Sequence, residues 1–122
     1  MATVITNAGE QWSADRMSGA SALNGAHVGW GTGAGTAAKA DTALFTEASE
    51  TRVSGAVSTS GAGAAAKYQV VATLTANGAK TITNAGNFDA SAAGNLVVHG
   101  DFTGIVLALN DSIQFTISLD PA

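Results

Sequence analysis

Residues 112–119 alternate without a break: Ser112, Gln114, Thr116 and Ser118 take one set of positions, and Ile113, Phe115, Ile117 and Leu119 take the other. Successive side chains of an extended chain point to opposite sides, so this run predicts a strand with one dry and one wet face. Such a strand needs neighbours in a sheet and a second layer over its dry face. Tyr68, Val70, Ala72 and Leu74, alternating with Gln69, Val71, Thr73 and Thr75, supply a second strand of the same kind. Further strands are expected at 27–30, 52–58, 80–88 and 96–99, where short apolar runs are bounded by polar turns. Asn77-Gly78 reads as a tight hairpin turn because both residues tolerate positive φ, and Asn110-Asp111 introduces the last strand.

One helix is expected, at 8–18, because Asn7 stands three residues before Glu10 in the reciprocal capping pattern. Its apolar stripe is small, so it must dock on the sheet to be stable. The patch Ala43-Leu44-Phe45 reads as a turn of helix or an extended clamp, and residues 61–66, all glycine and alanine, as a flexible connection. The 122 residues then form one domain, spanning 1–122. The fold class is mainly β: an antiparallel β-sandwich or jelly-roll-like barrel with one short N-terminal helix.

Alanine, glycine, serine and threonine make up more than half of the chain. The core is therefore thin, and each of the two tryptophans, one tyrosine and four phenylalanines carries a large share of it. Five basic residues stand against nine acidic ones, with no run of either sign. A nucleic-acid partner requires a concentrated positive surface, and none is encoded. No cysteine is present, which removes disulfides and thiolate metal ligands. No apolar stretch approaches bilayer length, and the opening residues lack the basic and apolar segments of a signal peptide, so a soluble product without an ordinary leader is expected.

Candidate chemical motifs are weak. Gly29-Trp30-Gly31-Thr32-Gly33-Ala34-Gly35-Thr36 is glycine-rich, but Lys39 follows two alanines and Thr36 occupies the third glycine position of a dinucleotide loop. A structural turn or a close subunit contact fits it better. His27 and His99 lack the spacing of a zinc site. The carboxylates of Asp41, Glu47, Glu50, Asp89, Asp101 and Asp111 read as turn caps, salt bridges or solvated edges. Ser54, Ser58 and Ser60 carry no nucleophile elbow. Neither an enzyme nor a cofactor is therefore expected. Trp12 and Trp30 admit two roles, packing the core or anchoring an interface, and with Gly31 and Gly33 they are the candidate interface residues.

Several segments together resemble a family of small virion proteins of tailed bacteriophages. They are Thr6-Asn7-Ala8-Gly9-Glu10-Gln11-Trp12, Trp30-Gly31-Thr32-Gly33 through Asp41-Thr42-Ala43-Leu44, Glu50-Thr51-Arg52-Val53, Phe88-Asp89-Ala90, Gly94-Asn95-Leu96, Gly100-Asp101-Phe102 and Asp111-Ser112-Ile113-Gln114-Phe115. The resemblance spans nearly the whole chain. It implies a β-rich, non-enzymatic virion component, either a capsid cement (decoration) protein or a tail-associated one. As cement, the chain is expected on the outer capsid surface, with the major capsid protein and copies of itself as partners. A tail-fibre or receptor-binding subunit is the alternative.

Overall fold

The computed structural model describes residues 3–18, 25–60 and 67–119. In chain order the elements are β1 (Thr3–Ile5), α1 (Asn7–Ser18), β2 (His27–Gly31), β3 (Val53–Ser54), β4 (Ala56–Ser60), β5 (Lys67–Thr75), β6 (Lys80–Phe88), β7 (Leu96–Leu107) and β8 (Ser112–Leu119). The protein is mainly β, in two sheets: a wide one ordered β1-β7-β6-β2-β3 and a narrow one ordered β4-β5-β8. Every pairing is antiparallel. Among the described residues no ladder joins the sheets, so no closed barrel forms. Jelly-roll connectivity is not seen either, because the strands divide five and three and the sequential pairs β2–β3, β4–β5 and β6–β7 lie side by side within a sheet.

The core lies between the sheets. Val28 and Trp30 of β2, Ile82 and Ala85 of β6 and Leu107 of β7 meet Val70, Ala72 and Leu74 of β5. Phe115 of β8 packs edge-on to Trp30, with ring centroids 6.2 Å apart. The alternation of residues 112–119 holds: the polar set is exposed, Ile113, Phe115 and Ile117 are half-buried, and Leu119 is buried. Helix α1 closes one end of the layer, where buried Trp12 meets Val97, Val98 and Leu119 and lies T-shaped on Tyr68 at 5.4 Å.

Three local expectations are corrected. The helix cap is Thr6, one residue earlier than Asn7: its Oγ1 accepts the Gly9 N–H at 2.9 Å, while its own hydroxyl reaches Leu96 O of the sheet. The predicted strand 52–58 splits at Gly55 into β3 and β4, which belong to different sheets. A Cβ at Gly55 would stand 2.6 Å from Val71 O, so this crossing requires glycine. Asn77-Gly78 is not a hairpin, since β5 and β6 lie in different sheets and neither residue has positive φ. It is a corner, fixed because Ala76 N donates to Asp111 O at 2.7 Å and Asn77 N to Glu50 Oε2 at 2.9 Å. The last strand is likewise reached by a change of sheet, through Asn110 at φ 72°. The glycine–alanine run 61–66 lies outside the described residues.

Between β2 and β3 the chain runs from 32 to 52 without a strand. That is longer than connections inside compact domains usually are, so it must be held by something other than a ladder. It lies against the face of the wide sheet opposite the core, as a strap. A register shift in the β6–β7 ladder between Ile82 and Asn84 makes this possible. There β7 advances four residues against two of β6, and the faces of β6 change across this irregularity. Ile82 and Ala85 therefore enter the core, while Asn84 meets the strap.

Candidate functional site

Asn84 imitates a strand neighbour. Its Oδ1 accepts the Phe45 N–H at 3.0 Å and its Nδ2 donates to Phe45 O at 3.1 Å, so one amide satisfies both backbone groups of a strap residue. His99 is fully buried beside it. Its Nε2 lies 3.0 Å from Asn84 Oδ1 and its Nδ1 lies 2.7 Å from Asp41 Oδ2, so each ring nitrogen faces an oxygen acceptor. The Phe45 ring stacks obliquely on the imidazole at 4.7 Å. Asp101 adds a further pin, accepting the Ala37 N–H at 2.8 Å. Leu44, Phe88 and Leu96 form a small buried cluster under the strap.

Two ion pairs fasten the end of the strap. Arg52 grips Glu47 through Nε and Nη2 at 2.8 and 2.9 Å, donates to Ala90 O and Ala93 O, and lies 3.4 Å above the Phe88 ring. Glu50 accepts from Trp30 Nε1 at 3.0 Å, from Asn77 N, and from Lys80. Burial pushes the Glu50 carboxyl up, but the hydrogen bonds from Lys80, Asn77 and Trp30 outweigh it and hold the group at about 2.

Of the four candidate interface residues, Trp12, Trp30 and Gly31 are buried and Gly33 is half-buried. Trp30 is 1% exposed and Trp12 6%, so each serves the core of its own chain. A Cβ at Gly31 would lie 2.4 Å from Phe45 O, and one at Gly33 would lie 2.6 Å from Thr46 Oγ1. Both glycines thus let the strap approach β2, and the close contact they make is within the chain. Trp30, Gly31 and Gly33 are brought together there, whereas Trp12 lies apart in the helix cluster. His27 and His99 do not meet. Among the described residues, no three histidine or carboxylate side chains gather as a metal site, and no helix is long and apolar enough to cross a membrane.

The echo of Ile5-Thr6-Asn7-Ala8-Gly9 in Ile82-Thr83-Asn84-Ala85-Gly86 predicts that Asn84 bonds its local backbone, whereas it bonds the backbone of the distant Phe45 and centres this network. An asparagine in a predicted strand, where that residue is disfavoured, was the one signal of that distant role.

One sheet edge lies beside a cleft. The narrow sheet ends at β8, which pairs with β5 on one side and with no described strand on the other. Beside it a cleft of about 170 Å3 separates the sheets. Phe115 and Ile117 form one wall, and Thr3, Val98, Gly100 and Phe102 the other. Ile105, Val106 and Leu109 are exposed along and beyond the end of β7, Val106 by 80%.

Comparison with known protein families, with curated protein sequences and with solved structures finds no match to this chain.

Proposed function

We propose that this chain is a capsid cement protein of a tailed bacteriophage, a non-catalytic part that binds the outside of the assembled head and bridges major-capsid subunits. The observation that carries the reading is where the residues of the virion-protein resemblance lie. Trp30, Gly31 and Gly33, Asp41 and Leu44, Glu50 and Arg52, and Asp101 all fasten the strap to the sheet. Thr6 and Trp12 fix the helix in the same way, and Asp89 closes the turn before β7 by accepting the Asn95 N–H at 2.7 Å. Motifs devoted to rigidity suit a part that works by shape and contact. The two sheets act as a sandwich-like block that presents the same surface at every lattice site.

Its action is thermodynamic. A protein that binds the closed shell and not its dissociated subunits stabilises the shell by linkage. Copies engaging several subunits at once multiply modest contacts. The experiment is heat disruption of particles with and without the chain: lower disruption temperatures without it are expected, and equal temperatures contradict the reading. A tail location, detected by labelling intact particles, would favour the receptor-binding alternative.

A further inference from the structure

The open edge of the narrow sheet has an unusual character. Strands at sheet edges carry unpaired N–H and C=O groups, and soluble proteins blunt them with lysine, proline, bulges or short length. Strand β8 has none of these: Ser112–Leu119 is eight residues long, uncharged, and contains neither glycine nor proline. Its ladder with β5 runs from Tyr68↔Leu119 to Thr75↔Ser112 with no shift in register.

The wide sheet is broader than the narrow one, five strands against three, and among the described residues no strand covers its face beyond β8. Phe102 of β7 packs on Phe115 of β8 at 6.2 Å, which sets β8 over β7, and β1 lies one strand further out. Ile105 stands opposite Ile82, a core residue, so it points toward the same side of the sheet. It is nevertheless 41% exposed. The cleft between β8 and Val98, Gly100 and Phe102 is the inner part of this vacant strip.

We infer that this strip is a docking slot for one extended segment donated by a partner protein, which adds to the narrow sheet as a strand beside β8. Main-chain hydrogen bonds to β8 would hold the segment, and alternate apolar side chains would rest on Phe102 and Ile105. The edge carries no charge, so the matching segment is a neutral one of alternating apolar and polar residues.

A second copy docked edge to edge fits poorly. Two such edges about 27 Å long and about 10 Å thick meet over only ~270 Å2 a side, against the ~800 Å2 a side of ordinary stable interfaces. The overhanging β1 and β7 of one copy would also occupy the space of the other's wide sheet. A lone strand meets neither obstacle. It is covered by β8 along its edge and by the wide sheet beneath. This inference rests on the cement reading for its partner, a segment of the capsid subunit, but the slot is testable without it.

The probe is a capped peptide with the sequence of residues 112–119, flanked by lysines for solubility. Antiparallel pairing with Phe115 opposite Phe115 sets Ile113 against Ile117 and polar residues against polar ones. Amide exchange of the intact protein is followed by NMR as peptide is added. Exchange at alternate β8 amides is expected to slow about tenfold at saturation, with shifts at Phe102 and Ile105, while the protein stays monomeric. The variant Ile105→Lys, at an exposed position, is expected to fold and to lose peptide binding. Unchanged β8 exchange at saturating peptide overturns the inference, as does self-association of the protein through β8 or full binding by folded Ile105→Lys.

A second arm uses capsid shells assembled without the chain and then loaded with it. Protection of the same β8 amides on shells supports the inference. Binding to shells with β8 still exchanging freely overturns it and leaves the cement reading intact. Failure to bind shells overturns that reading and, if the peptide binds, leaves the slot standing as a site for another partner.

Discussion

The two faces of the wide sheet are covered by different means. The inner face is covered by a second sheet through apolar contact: Val28, Trp30 and Ile82 meet Val70, Ala72 and Leu74. The outer face is covered by an irregular strap that adds polar anchors to backbone bonds with β2 and the small Leu44 cluster: Asn84, His99 and Asp101 of the sheet hold Phe45, Asp41 and Ala37 of the strap. Burial is similar on both sides, since Asn84 and His99 are as inaccessible as Val28. Apolar layers tolerate small changes of shape, whereas a buried polar anchor works only if every donor and acceptor is met. The inner face should therefore govern global stability and the outer face local order.

The largest effect is expected at Trp30→Ala, which empties the core and leaves Glu50 without one donor. A loss of about 3–5 kcal/mol in denaturant unfolding is expected. A loss near that of a surface substitution would break the comparison. Next come two changes at the strap. Asn84→Ala leaves the Phe45 N–H and His99 Nε2 unmatched, while Phe45 O keeps the Gly33 N–H, and should cost about 1–3 kcal/mol. Exchange should quicken in residues 37–48 before it does in β5. Gly31→Ala drives a Cβ against Phe45 O and should cost about 1–3 kcal/mol, whereas Gly78→Ala meets nothing within 4 Å and is its control. Equal losses for the two glycine variants would contradict the tight approach of the strap.

Acid sharpens the same distinction. Glu50 lies at about 2 in the folded chain, below its ordinary 4.5, so its stabilising effect is complete above pH about 4.5 and is lost as pH falls toward 2. Unfolding midpoints across that window should fall in the wild type and fall less steeply in Glu50→Gln. The smallest effect is expected at the Lys39–Glu10 pair, half-exposed on both sides, where Lys39→Ala should change stability by only a few tenths of a kcal/mol, about the scale of surface pairs.

The same difference explains what the sequence made legible. Period-two runs at 68–74 and 112–119 exposed the inner face directly, because each element there keeps one register. The helix at 8–18 was also legible, although its cap is Thr6. Strand 80–88 was found but its faces were not, because the shift between Ile82 and Asn84 reverses the alternation midway. Turn chemistry at Asn77-Gly78 misled for a related reason: local preference for a tight turn says nothing about which sheet the chain enters next. The strap was legible only as a clamp at Leu44 and Phe45, since its partners lie on β6 and β7, far along the chain. Trp12 and Trp30 were visible as important residues, and only the three-dimensional packing assigned them to the core.

The direct test of the functional account is the copy number and position of this chain on purified virions, by quantitative mass spectrometry together with labelled imaging. A count that scales with the number of major-capsid subunits, with label spread over the head, is the predicted result. A few copies confined to the tail would contradict it.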